Sequence, residues 1–129
     1  MTVSEQTQNQ IMAVLRQAAE AITEKDLDGV TALLAPDFQF LSPGEKVFGW
    51  AEFHQHLKRN FSRMEAISLD FSDIHISAEG TVAWIMADLT CRVVAGGAPQ
   101  TDSGRITAVL RGTGHAWVFS QVHISIMTT

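Results

Sequence analysis

The chain has 129 residues, of which 46% are hydrophobic and 18% charged, and this balance predicts one packed domain over residues 1–129 and excludes intrinsic disorder. Its net charge of −5, with nine basic residues spread along the chain, argues against nucleic acid as a partner, because phosphate backbones bind clustered Lys and Arg. The one cysteine has no partner for an internal disulfide, and no apolar run approaches the roughly 20 residues of a membrane span. The start of the chain lacks the pattern of a secretory signal. We therefore expect a cytoplasmic protein with no membrane partner.

Two helices are predicted at the start of the chain. Apolar residues recur at helical spacing from Ser4 to Ile22, and Thr2 with Glu5 predicts a capping box in front of them. Asp26 is expected to cap a second, short helix, which ends before Pro36 because a proline ring disfavours helical geometry in the residue before it.

A hairpin and a third helix follow. Phe38–Leu41 is predicted as a short strand, and the turn after it leads back to Val47 and Phe48. A third helix is expected after Gly49, because large apolar residues share one stripe there. The stripe consists of Trp50, Phe53, Leu57, Phe61 and Met64.

The second half of the chain is predicted to be a sheet of strands bounded by glycines. In the first of these strands the apolar residues change from odd to even positions, which predicts a bulge near Ser72 and Asp73. Helices followed by a meander indicate an α+β fold. The four strands are Ile67–Ser77, Thr81–Val94, Thr101–Arg111 and His115–Met127.

Alternation along the strands assigns side chains to the two faces of the sheet. Neither face is cleanly polar, so we expect both to be covered, one by helices and the other by a second copy of the chain. This predicts a homodimer formed through the sheet. The more polar face groups Trp84, Met86 and Asp88 on one strand, Arg105 and Thr107 on the next, and Trp117, Phe119, Gln121, His123 and Ser125 on the last.

Element order and several local strings resemble the SnoaL-like branch of the NTF2-like superfamily over nearly the whole chain. The resemblance implies a cystatin-like α+β cone, in which three helices pack on a curved antiparallel meander sheet and enclose a pocket, and it implies pairing into dimers. The strings are Lys25–Val30, Leu33–Phe38, Gly49–Phe53, Gly80–Trp84, Trp117–Phe119 and Val122–Ser125.

The catalytic residues of a well-understood relative are not found at the matching positions of this chain. Ketosteroid isomerase, in the same superfamily, uses an aspartate base beside a tyrosine and a protonated aspartate. This chain has no tyrosine, and it has Ala18 and Ser42 where that enzyme has its phenol and its base. The last strand also resembles the association domain of calcium/calmodulin-dependent kinase, which implies that the side chains of His123 and Ser125 point into the pocket.

The candidate site combines three strand residues. We expect Asp88, Arg105 and His123 to project into one enclosed space, with Asp88 and His123 exchanging a proton and Arg105 anchoring a carboxylate or an enolate oxygen. The alternative is that Asp88 and Arg105 only pair with each other, and that His123 is satisfied by Ser125, Gln121 or water. Further ligand-binding candidates are Trp50, Phe40, Trp84, Met86, Thr107, Gln121 and Ser125, with His54 as a residue at the edge of the helix stripe.

No metal or cofactor is expected. His54 and His56 point about 200° apart on a helix, and no glycine-rich nucleotide loop or serine elbow is present. Two functions are favoured by the sequence, and a steroid-isomerase-like enzyme with displaced residues is a third possibility. The first is binding of a small carbonyl- or carboxylate-bearing compound, with proton transfer, isomerisation or cyclisation. The alternative is a non-catalytic assembly module that acts through homodimerisation, with a vestigial pocket.

Overall fold

A computed structural model describes residues 3–42, 44 and 49–127. The predicted order of two helices, a strand, a helix and four strands is confirmed, whereas the return strand predicted at Val47 and Phe48 lies outside the described residues. The elements are α1 (Glu5–Thr23), α2 (Leu27–Thr31), β1 (Leu34–Leu41), α3 (Trp50–Arg63), β2 (Ala66–Glu79), β3 (Val82–Ala95), β4 (Ala98–Gly112) and β5 (Trp117–Met127).

Side-chain caps define the starts of the first two helices. Ser4 is the N-cap of α1 and accepts a hydrogen bond from the Thr7 amide at 3.1 Å, and Thr2 of the predicted capping box lies outside the described residues. The predicted cap of α2 is confirmed, since an Asp26 oxygen accepts from the Gly29 amide at 3.0 Å. This helix ends at Thr31, earlier than expected, because β1 already begins at Leu34.

The five strands form one sheet in the order β1-β5-β4-β3-β2. Strands β2 to β5 are the predicted antiparallel meander, but β1 runs parallel to β5. The sheet is therefore mixed, and the expectation of a wholly antiparallel sheet is wrong. The reason is connectivity: α3 and three strands separate β1 from β5, so no hairpin imposes an antiparallel pairing on them.

Two bulges reorient side chains in the sheet. The predicted bulge near Ser72 is confirmed, because the pairing of β2 with β3 shifts between Ser72 and His75, and Asp73 has a φ of 50°. A second bulge was not predicted. On β5 the residue Ser120 is extra, since Val109 pairs with Gln121 and Leu110 with Phe119.

The helices cover the face of the sheet that is uniformly apolar. The buried core joins Ile11 and Leu15 of α1 and Phe53 of α3 to this face. We call it the inner face, and it carries Ala83, Ile85, Ala87 and Leu89 of β3, Ile106, Ala108 and Leu110 of β4, and Phe119, Val122 and Ile124 of β5. The opposite side, the outer face, carries Trp84, Met86, Asp88, Arg105, Thr107, Gln121, His123 and Ser125.

Candidate functional site

A small cavity lies between the three helices and the inner face. It has a volume of about 90 Å³ and is lined only by apolar side chains. Leu15 and Ala18 of α1 form one side, and Phe40 of β1 and Phe53 of α3 form another, with Ile106 among the residues of the sheet floor. A site of this composition holds a ligand by shape and apolar contact, because no lining side chain offers a hydrogen bond or a charge.

Aromatic rings form the wall of the inner cavity next to α3. The ring centroids of Phe40 and Phe53 are 4.7 Å apart, and those of Phe38 and Phe53 are 5.0 Å apart. Such tilted pairs add a specific attraction to the burial of their area. Of the predicted ligand-binding residues, Phe40 is the one that lines this cavity.

His56 lies next to this aromatic wall. Its ring is half-buried, with its centroid 6.2 Å from those of Phe40 and Phe53, and Asn60 contacts its Nε2 at 3.1 Å. The signal was available in the sequence, because His56 is three residues after Phe53 and such residues are neighbours on a helix. His56 does not itself line the cavity.

Trp50 and His54 lie apart from the inner cavity. Their rings are stacked at the start of α3, with centroids 5.5 Å apart and planes 13° apart. Trp50 is 37% exposed and borders a shallow depression with Leu34 and Pro36. The two side chains form a surface pair and do not line the cavity.

The outer face brings the predicted polar residues side by side. Asp88 is opposite Arg105 in the register of β3 and β4, and Arg105 is opposite Ser125 on β5. Thr107 is opposite both Met86 on β3 and His123 on β5. The pairing thus confirms that these side chains share one face of neighbouring strands. This face groups Trp84 and Gln121 with them.

The expectation that these side chains project into an enclosed space is wrong for the single chain. The Asp88 and Arg105 side chains are 48% and 69% exposed, and His123 is exposed as well. The reason is that the helices bury their apolar stripes against the inner face, which leaves the outer face uncovered. The same holds for Met86 and Trp84, which are 57% and 43% exposed.

Within the outer face, Asp88 pairs with Arg105 and not with His123. The Asp88 carboxylate is 3.6 Å from Arg105 Nε, as in the alternative considered from the sequence. His123 is two strands across and two residues along from Asp88, about 12 Å at the usual strand spacing and rise, and its imidazole makes no hydrogen bond to another described residue. Their roles as acid and base remain predictions.

The Ser120 bulge explains why one predicted grouping fails. Alternation across an unbroken β5 would keep Phe119 and Gln121 on one face, but the extra residue between them puts Phe119 on the inner face and Gln121 on the outer face. Phe119 therefore lines the inner cavity. The sequence signal for the inner face was its uniformly apolar composition on β3, from Ala83 to Leu89.

The described residues contain no group of three or more His, Cys, Asp or Glu side chains placed to hold a metal ion. Within the same ranges, none of the helices is long and apolar enough to cross a membrane. Cys91 is half-buried on the inner-face side of β3. Burial raises the pKa of its thiol, and the negative charge of Asp102 raises it further.

Comparison with known proteins identifies the family and the fold. Residues 11–129 match the SnoaL-like domain family, and among curated proteins nothing matches. The structure is similar to that of a proposed dehydratase of the NTF2-like family from Streptomyces avermitilis, at 18% identity and a TM-score of 0.91, over 98% of this chain and 100% of that one.

Two further solved structures share this architecture. A proposed aromatic ring hydroxylase from Novosphingobium aromaticivorans has 19% identity and a TM-score of 0.91, over 99% of this chain and 94% of that one. A protein of unknown function with a cystatin-like fold from Nostoc punctiforme has 15% identity and a TM-score of 0.83, over 100% of this chain and 97% of that one. At these identities the likeness establishes the fold alone.

Proposed function

Because this chain belongs to the SnoaL-like family of the NTF2-like superfamily, we propose that it binds a small, predominantly apolar molecule in the cavity on its inner face. The observation that carries the proposal is the entirely apolar lining of that cavity. Apolar cavities accept apolar guests, and an engineered cavity of about 150 Å³ takes up benzene or xenon.

The volume sets the size of the ligand. At about 90 Å³ the cavity is below the roughly 300–1,000 Å³ of sites for drug-sized molecules. The ligand is therefore about one ring or a short chain in size, and a larger one requires outward movement of a lining side chain. Two structural neighbours are a proposed dehydratase and a proposed hydroxylase, but the described lining of this cavity supplies no acid or base.

Filling the cavity tests this proposal. Ala18 lines it and Ala19 does not, although both are half-buried on α1. We expect benzene, measured by calorimetric titration, to bind the wild type saturably and to bind Ala18→Leu at least tenfold more weakly. Ala19→Leu is the matched control, and its affinity should stay near that of the wild type. Equal benzene affinity in all three proteins would contradict a site at Ala18.

A second candidate function, homodimeric assembly, is favoured by the outer face. Trp84 and Met86 expose large apolar groups there, and Val82 lies beside them on the same strand. The neighbouring Asp88 and Arg105 carry opposite charges, so two copies related by a twofold axis can pair each carboxylate with the other chain's guanidinium. Exposed apolar surface rimmed by polar residues is typical of an interaction site.

The oligomeric state tests this second candidate. Light scattering after size exclusion should show a dimer at micromolar concentration for the wild type, and Trp84→Glu should raise its dissociation constant at least tenfold. Trp50→Glu is the control, because Trp50 is a similarly exposed tryptophan on the helical side of the molecule. A monomeric wild type would exclude assembly through this face.

A further inference from the structure

A groove separate from the inner cavity lies between α1 and one end of the sheet. We call it the end groove, and none of its lining residues lines the inner cavity. One wall is formed by Gln10, Ala13 and Gln17 of α1. The other is formed by the β2–β3 turn at Thr81 and the β4–β5 loop up to Trp117. Its volume of about 460 Å³ is within the roughly 300–1,000 Å³ of small-molecule sites.

Hydrogen bonds hold the walls of the end groove in place. The indole Nε1 of Trp117 donates to Gln10 Oε1 at 2.9 Å, which ties the sheet to α1. The Gly112 amide donates to the Thr81 carbonyl at 2.8 Å and joins the two turns. The β4–β5 loop is closed by a bond of 2.8 Å from the Thr113 amide to the Ala116 carbonyl. A groove with walls fixed in this way loses little freedom when a ligand enters.

Trp117 lines the end groove, and one face of its ring lies against Gly112. A Cβ placed on Gly112 would be 3.5 to 3.6 Å from three adjacent atoms of the six-membered ring of the indole. Since these three distances are nearly equal, the backbone of Gly112 lies against the face of the ring and not its edge. The ring is thus fixed both by this contact and by its bond to Gln10.

The polar side chains of the end groove are two glutamine amides, a threonine hydroxyl and a histidine imidazole. The amide of Gln17, the hydroxyl of Thr81 and the imidazole of His115 have no hydrogen-bond partner among the described residues, and the NH2 group of Gln10 is left to donate. Amides, hydroxyls and imidazoles both donate and accept. None of the lining residues is Asp, Glu, Lys or Arg, so the groove supplies no carboxylate, ammonium or guanidinium group to a charged ligand.

We propose that the end groove binds the ring of a neutral sugar. A pyranose ring presents a flat C–H face, which matches Trp117, and a rim of hydroxyl groups, which matches the amides of Gln10 and Gln17 and the hydroxyl of Thr81. A phosphorylated or acidic sugar would find no Lys or Arg among the lining residues to pair with its charge and is disfavoured. This site is independent of the ligand proposed for the inner cavity.

Trp117 fluorescence can test the proposal directly. The chain has three tryptophans, so the Trp50→Phe and Trp84→Phe double variant leaves Trp117 as the sole reporter. Its emission is followed during titration with the methyl glycosides of glucose, galactose and mannose, up to roughly 50 mM, which is about fifty times a millimolar Kd. We expect a saturable change with at least one glycoside, and at least tenfold weaker binding of glucose 6-phosphate than of methyl glucoside.

Two variants made in this background locate the site. Gln17→Ala removes a groove amide and should weaken glycoside binding at least tenfold, whereas Gln8→Ala, exposed on α1 outside the groove, should leave it unchanged. Circular dichroism spectra that match the parent exclude misfolding as the cause. The proposal is overturned by linear, non-saturating titrations with every glycoside, by equal affinities of the two variants, or by saturable binding of a nucleoside without binding of any glycoside.

Discussion

Cys91 is the residue whose surroundings most clearly change its acid–base behaviour. It is half-buried on β3, opposite Leu69 on β2 and Asp102 on β4. Burial is the larger cause of its raised pKa and the Asp102 carboxylate the smaller one, because both disfavour the negatively charged thiolate. In the folded protein the thiol therefore keeps its proton to a higher pH than in the unfolded chain.

This difference predicts a loss of stability at alkaline pH. Above about pH 8.5, the ordinary pKa of a thiol, the unfolded chain releases the proton first. The free energy of unfolding therefore falls as pH rises towards the folded-state pKa. In urea titrations with reductant present, this fall should be steeper for the wild type than for Cys91→Ala. Asp102→Asn should retain most of the fall, since burial dominates. Parallel pH profiles for the wild type and Cys91→Ala would contradict the raised pKa.

Residue-scale chemistry on the outer face was only partly predictable. The neighbourhood of Asp88, Arg105 and His123 followed from strand alternation, which is a local rule. The exposure of these three side chains could not be predicted in the same way, because it depends on which face of the sheet the helices cover. The uniformly apolar set on β3 indicated that face, whereas the presence of Trp84 and Met86 beside Asp88 suggested that both faces were covered.

At the scale of single elements, β4 contains two glycines with different surroundings. A Cβ on Gly104 would collide with the backbone carbonyl of Ser125 on β5, and a backbone atom cannot move aside as a side-chain end can. A Cβ on Gly112 would make only ordinary contact with the Trp117 ring. The close approach of β4 and β5 at Gly104 therefore requires a residue without a side chain.

The two glycines give a matched prediction for stability. Gly104→Ala should lower the free energy of unfolding by about 1–3 kcal/mol, the usual cost of overpacking. Gly112→Ala, in the same strand, should change it by less than about 0.5 kcal/mol, as substitutions outside strained or crowded positions do. Urea denaturation of both variants measures the difference. Equal effects would mean that β5 shifts to accommodate the added methyl group.

Element boundaries and strand pairings were predicted correctly where they depend on a few consecutive residues. They were missed where they depend on residues far apart in the chain. Asp26 as a cap and the bulge at Ser72 each rest on a few consecutive residues, and both were confirmed. The parallel pairing of β1 with β5 depends on residues far apart in the chain. The Ser120 bulge is also set by the partner strand, because nothing in the β5 sequence marks an extra residue there.

For the whole molecule, the described structure separates an apolar inner cavity from a polar outer face. The cavity between the helices and the sheet is the site proposed for a small apolar molecule, and the outer face is the surface proposed for assembly. The two proposals are compatible, because a partner on the outer face leaves the helical side of the sheet free. The family and the fold could be predicted from the sequence, whereas Phe40 is the one predicted ligand-binding residue that lines the inner cavity.

The most direct test of this account is a benzene titration followed by methyl resonances, because both faces carry methyl groups. The inner cavity is lined by Leu15, Val122 and Ile124, whereas Met86 and Val109 lie on the outer face of β3 and β4. We expect saturable shifts of the methyl groups of these three inner residues, with Met86 and Val109 unchanged. Saturable shifts confined to Met86 and Val109, with no shift of the inner methyl groups, would contradict the inner-cavity site. They would indicate that benzene binds on the outer face.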